Sequence, residues 1–462
     1  MAVSDQMLSK PIDWRDQTYW PLLDDLQGNI LKGHGRDHTL NHFLKFDPAR
    51  IAQVKQQIRA IGTRTTSALR QLNEVDAFKS LGRPGSTCVF FMLTAAGYAK
   101  LGLEPPEGDA FRQGMAGRQL ADPAGNTWEA HLRPGIDALL IVADDTDTMV
   151  ANSAAAITRD FAANGISITG MDAGRAIRSK ASTGEPKGRG IEHFGYVDGR
   201  SQPLMLAEEV EREESGGGTD KWDPRFGPLA LAFVRDPHGT TGDSYGSFLI
   251  YRKLEQNVRR FKAQEEALAE RLGLEEPDDE RAGAMVVGRF EDGTPLILFD
   301  DEQDLALTPN NFNYDSDPGG LKCPIHAHVR KINPRHGDDE QRSHLMPRRG
   351  IPYGERSGPI DDPSHFPQIG VGLLFMAYNH DIERQFEVTQ RFWANSHDFP
   401  DGSADGNDPI IGQPAGDTQT WHPEYGGSDG PATPFEFGLH VHMKGGEYFF
   451  APSRGFIKGI GL

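Results

Sequence analysis

Four short, almost unbroken apolar runs constrain the fold more than any other feature of this chain: CVFFML (88–93), ALLIV (138–142), FLIY (248–251) and GLLFMAY (372–378). Runs of this length that lack polar alternation fit strands buried on both faces. Segments of helical spacing stand between them. One covers 48–72, with Ile51, Val54, Ile58 and Ile61 on its apolar stripe; others are 94–103, 148–163, 254–274 (ending at glycine) and the amphipathic 381–396. HFLKF (42–46) alternates as a half-buried strand does, and FEFGLHVHMKGGEYFFAPSRGF (435–456) reads as a closing strand pair. This alternation predicts an α+β architecture, the second half repeating the element order of the first without a sequence-level repeat.

At 462 residues, two domains are expected. The 53 glycines and 31 prolines point to long ordered loops. Two loops are expected at 205–230, with its polar EEVEREESGGGTDKWDPRFGP, and at 301–322. The formal charge is 48 − 67 = −19, which disfavours a nucleic-acid partner or an anionic membrane surface. No stretch approaches the roughly 20 apolar residues of a membrane span. The opening MAVSDQMLSKPIDWRDQTYW shows neither a basic n-region nor a twin-arginine pair, so a cytoplasmic location is expected. Only Cys88 and Cys323 are present, with no paired-cysteine framework. The sequence does not fix the oligomeric state.

Chemistry concentrates in four segments. In HFGYVDGRSQP (193–203), glycines flank Asp198, which suits either an Asp-Gly turn or a carboxylate aimed into a pocket that a flat ligand approaches closely at Gly199. In CPIHAHVRKINPRH (323–336), an extended chain would place His326, His328 and Arg330 on one face. That pattern suits a zinc pair, a haem ligand with a propionate-binding arginine, or a solvated strand end. HLMPRRGIPYG (344–354) holds two arginines before a rigid turn, a setting in which a guanidinium can stabilise an anion. In GLLFMAY, Leu373 and Phe375 share a face, as core or as the dry wall of a pocket.

Taken in this order, the segments resemble the dye-decolourising peroxidase family. The resemblance runs from about residue 24 to 455 and includes the GxxDG motif at Gly195–Gly199, the AHxR-type segment at Ala327–Arg330, the arginine before RGIPYG, and LQGNILKGHGRDH, GLLFMAYNHDIERQFE and FFAPS. It implies two ferredoxin-like domains, 1–190 with an N-terminal arm and 191–462, each an antiparallel sheet with peripheral helices. Haem b, one per chain, would lie mainly in the second. It implies His328 as the axial iron ligand and Asp198 and Arg348 as the residues activating hydrogen peroxide. Arg348 is preferred over Arg349 because Leu373 follows it by 25 positions, as in the family. Arg330, Gly199, Leu373 and Phe375 would contact the cofactor. Asp408 of GNDPIIG would hydrogen-bond His328, and His326 would be a neighbour only. Trp393 is a candidate electron relay.

Such a site would move a proton between the oxygens of peroxide through Asp198 and oxidise aromatic donors, including bulky dyes and phenols, one electron at a time. A carboxylate titrates near 4 where a histidine titrates near 6.5, so activity is expected on the acid side, roughly pH 4–5. The competing readings are a haem carrier or sensor, and a non-haem metal site using His326, His328, His440 and His442. Hydrolysis lacks support, since neither GxSxG nor HExxH occurs.

Overall fold

The computed structural model describes residues 3–180, 188–336, 339–400, 402, 406–413, 418–427 and 432–462. Eight strands form its frame: β1 (His38–Phe46), β2 (Cys88–Leu93), β3 (Ala138–Asp144), β4 (Ile166–Arg175), β5 (Tyr245–Gln256), β6 (Ile351–Tyr353), β7 (Gly372–Asn379) and β8 (Val441–Ala451). The main helices are α1 (Ile51–Gly62), α2 (Ala68–Leu81), α3 (Asp147–Thr158), α4 (Val258–Leu272) and α5 (Glu280–Val287). Segment 383–394 follows β7 and is helical with the wider i→i+5 bonding of a π-helix, in two stretches, Glu383–Glu387 and Thr389–Ala394.

The first four strands lie in the order β4-β1-β3-β2 and the last four in the order β8-β5-β7-β6, all antiparallel. Numbered within its own half, each set reads 4-1-3-2, and in each the chain runs strand, helix, strand, strand, helix, strand. That is the ferredoxin-like unit, present twice. The two sheets meet edge to edge. Phe450 of β8 pairs with Leu93 of β2, and Tyr353 of β6 pairs with Gly174 of β4, so the eight strands close into one ring.

Closure explains the apolar runs. In β2, Cys88, Phe90 and Met92 join a core that includes Leu8, Ile12, Leu22 and Leu23 of the N-terminal arm. Val89, Phe91 and Leu93 join another with Val54 and Ile58 of α1 and Ile157 of α3. Both faces are covered, and the alternation of a one-sided sheet has nothing to act on. A third core lies between α4, α5, Phe194, Tyr196, Trp421 and Phe437 in the second half.

Three expectations need correction. The polar stretch after 205 is not all loop: Ala207–Gly216 is a helix that buries Val210 and Glu213, the latter paired with Arg200 at 2.8 Å. Residues 435–456 are not a strand pair: β8 pairs with β5 and is followed by the helix Arg454–Gly459. The His326–Arg330 segment is not extended: a turn closes at Ala327 and a helical turn runs from His328 to Lys331. Among the described residues, no helix is long and apolar enough to cross a membrane.

Candidate active site

A cavity opens in the second half of the chain. Every described lining residue lies between Glu192 and Met443. The β5 residues Arg252, Leu254 and Gln256 contribute alternate positions, as do Leu373 and Phe375 of β7 and Val441 and Met443 of β8. The remaining wall comes from 192–201, Val287, Arg289, His328, 344–350, the π-helical segment and 410–413.

His328 opens its helical turn with its side chain 22% exposed, and its Nδ1 lies 2.8 Å from Asp408 Oδ2. Asp408 is fully buried. Its Oδ1 accepts the backbone N–H groups of Ile410 at 2.8 Å and Ile411 at 3.0 Å, and its own N–H donates to Ala394 at 2.9 Å. Burial alone would push this carboxyl up. The charge and hydrogen bond of His328, joined by the two N–H donors, hold it below its ordinary value instead. With Nδ1 committed to Asp408, Nε2 is the nitrogen left to face the cavity.

Asp198 and Arg348 line the same cavity. Gly195 (φ 111°) and Gly199 (φ 81°) both take positive φ, which fixes the tight path of the Asp198 turn and demands glycine. Asp198 is exposed to the cavity mouth and its Oδ1 accepts the Gly199 N–H at 2.6 Å. The Arg348 backbone is pinned by Gln202 Oε1 at 2.9 Å. Among the described residues, no hydrogen bond or ion pair engages its guanidinium. Burial presses that group below its ordinary value, with the nearby Asp198 charge opposing. Arg349 turns the other way and donates to the carbonyls of Asn29 at 2.7 Å and Ile30 at 2.9 Å. The structure therefore separates the two arginines, and it is Arg348 that reaches the cavity.

Arg330 is a correction. Two residues apart on a helical turn point to opposite sides, where on a strand they would share one. With His328 toward the cavity, Arg330 is buried away from it, donating to Asp317 Oδ2 at 3.1 Å, Asp317 O at 2.8 Å and Cys323 O at 2.6 Å. His326 packs edge-on against Trp421 with ring centroids 4.4 Å apart, so it shares no wall with His328. Gly199, Leu373 and Phe375 line the cavity as expected.

The donor set suits haem. One imidazole with a free Nε2 is enough protein ligation for an iron whose remaining ligands a macrocycle supplies, whereas zinc needs three or four protein ligands. Among the described residues, the one group of three metal-ligating side chains within reach of each other is Glu129, His131 and Asp172, which do not line the cavity.

Residues 237–405 match the family model for the C-terminal region of Dyp-type peroxidases. The chain is 42% identical over 98% of its length, and 99% of the relative's, to the multifunctional dye peroxidase DyP2 of Amycolatopsis. This chain belongs to the dye-decolourising peroxidase family. Its backbone superposes on the DyP-type peroxidase of Anabaena with a TM-score of 0.92 at 40% identity, covering 99% of this chain and 100% of that one. The dye-decolorizing peroxidase of the fungus Exidia glandulosa is 29% identical over 94% of this chain and 86% of its own.

Arg252, Arg289 and Glu192 also line the cavity, and none of them sits in a motif that the sequence singles out. Arg252 is held by both Asp122 oxygens at 2.6 and 2.8 Å, and Arg289 donates to the carbonyls of Gly293 and Pro309 at 2.9 and 3.1 Å. One signal was available: Arg252 and Gln256 interrupt the apolar phase of β5, which a purely structural strand has no reason to do.

Proposed function

We propose that this protein is a haem-dependent peroxidase that reduces hydrogen peroxide and oxidises aromatic donors, bulky dyes and phenols among them, in one-electron steps. One observation carries the reading: a single cavity holds a carboxylate-anchored imidazole together with Asp198 and the unengaged guanidinium of Arg348. A carrier or sensor has no use for the last two. When bound, haem b (one per chain) supplies the iron and the redox equivalents that these side chains lack.

His328 Nε2 would hold the iron, and Asp408, accepting the Nδ1 proton, would make that imidazole a stronger donor. Asp198 takes a proton from one peroxide oxygen and returns it to the other, which then departs as water. Arg348 neutralises the charge that builds on the departing oxygen. Leu373 and Phe375 keep the surroundings apolar, and Gly199 leaves room for a flat ligand against the backbone. Dyes too bulky for a pocket that fits peroxide would give up electrons at the edge of the bound haem or through a surface aromatic. His344 in the wall meets Trp393 edge-on at 5.3 Å, and Trp393 stacks on Phe399 at 4.8 Å, an aromatic path leading out of the cavity.

The test is an optical spectrum of the protein loaded with haemin, followed by one equivalent of hydrogen peroxide. The expected Soret band shifts and weakens within seconds and returns on adding a phenol. A Soret band indifferent to peroxide, or no haem uptake, overturns the proposal.

A further inference from the structure

The turn that carries Asp198 is itself held by a second carboxylate. Glu192 lines the cavity, and its Oε1 accepts the Tyr196 N–H at 3.0 Å while its Oε2 accepts the Phe194 N–H at 2.8 Å. Oε2 also accepts a short hydrogen bond from the side-chain Nε2 of Gln256. The backbone closes the same loop, Glu192 N donating to Tyr196 O and Asp198 N to Gly190 O. Gln256 Oε1 is buried with no hydrogen-bond partner among the described residues. An ionised Glu192 satisfies the amide N–H. A neutral Glu192 has a proton to give, and Oε1 can take it once the amide turns over.

We propose that Glu192 is a positioning residue for Asp198, gripping the 194–198 turn through its backbone N–H groups with a carboxylate that has two bonded states against Gln256. This rests on the reading of Asp198 as the proton shuttle. Burial, followed by the charge of Asp198, pushes the Glu192 carboxyl up to about 7 against its three donors, so both states are reached near neutrality. The charged groups that face it are Asp198 and Arg356, while Glu291, paired with Lys262, stands beyond Gly195. His193, next in the chain, is occupied with Tyr353 O at 2.8 Å.

In Glu192→Gln, one acceptor oxygen becomes an N–H facing a backbone N–H. The expected result in the haem-loaded protein is a roughly tenfold fall in the second-order rate of the Soret change with peroxide, the scale of a misplaced catalytic group. An inflection of that rate near pH 7 disappears with it. Glu192→Gln adds no further loss on top of Asp198→Asn, and Glu192→Asp recovers part of the rate. Infrared difference spectra of the protein without haem, taken across pH 7 in a Glu302→Gln background that silences the other carboxyl raised to about 7, show a carboxylic-acid carbonyl band that adding Glu192→Gln removes. An unchanged rate and pH profile in a folded Glu192→Gln protein overturns the proposal, as does an equal loss in the Asp198→Asn background. If Glu192→Gln does not fold, absence of the carbonyl band from the Glu302→Gln protein overturns it. Wild-type speed in Asp198→Asn alone is a different failure, that of the shuttle reading.

Discussion

His328 and Asp408 stand 80 positions apart in the chain and 2.8 Å apart in space, and a carboxylate saturated by two N–H groups cannot easily turn away from its imidazole. Asp408→Asn should still bind haem but react with peroxide about 10–100-fold more slowly, the usual scale for losing a partner behind a metal-ligating histidine; stopped-flow absorbance measures it. The neighbouring arginines should part company. Arg348→Leu removes the free guanidinium and should lower the peroxide rate roughly 10²–10³-fold with Tm nearly unchanged. Arg349→Leu strands two buried carbonyls, so the expected loss is in Tm, with the rate per folded molecule preserved. It was the family resemblance that brought His328, Asp198 and Asp408 forward, since each sits in a short segment that the resemblance covers. Arg330 went astray because its role depended on a local conformation, strand or helical turn, that six or seven residues do not determine. Glu192 and Arg252 were harder for a different reason: their side-chain partners, Gln256 and Asp122, lie far away in the chain where no spacing rule connects them, and Arg252 left only its break in the apolar phase of β5.

At the scale of the element, β5 does the most. It pairs with both β7 and β8 and sends Arg252, Leu254 and Gln256 into the cavity. Its closeness to β7 depends on Gly372, where an added Cβ would lie 2.0 Å from Leu254 O. Gly372→Ala must push the strands apart beside Leu373, and the expected cost is about 1–3 kcal/mol, seen as a lower Tm together with a disturbed Soret band in the loaded protein. The long apolar strands were readable from sequence because burial on both faces leaves continuous hydrophobic runs. The short β6 (Ile351–Tyr353) was not, since three residues that contain a proline carry no periodicity. The 383–394 segment showed its amphipathic face in sequence, but its wider turns leave too little trace in the spacing of apolar residues to be told from an α-helix.

For the molecule as a whole, acid works against the fold. Burial holds His34, His193 and His440 at about 4, below the 6.5 of an exposed histidine. The unfolded chain therefore binds protons that the native one refuses between those values. Each histidine's contribution is intact above about 6.5 and is lost as pH falls toward 4. Glu192 and Glu302, both raised to about 7 by burial, pull in the opposite direction over much of that range. The individual contribution is separable: His34→Gln should show a smaller drop in Tm between pH 7 and 4.5 than the wild type, measured by scanning calorimetry. An acid-side optimum would then place turnover where the scaffold is giving up part of its margin.

The two halves meet at seams where β2 joins β8 and β4 joins β6 by one residue pair each. While both seams hold, the facing edges of the two sheets are kept against each other. If either lets go, it uncovers two unpaired edges at once, one from each half and already shaped to fit the other. Two molecules opened in this way can satisfy each other's edges instead of their own, which makes the seams the points from which exchange between copies, and then aggregation, would begin.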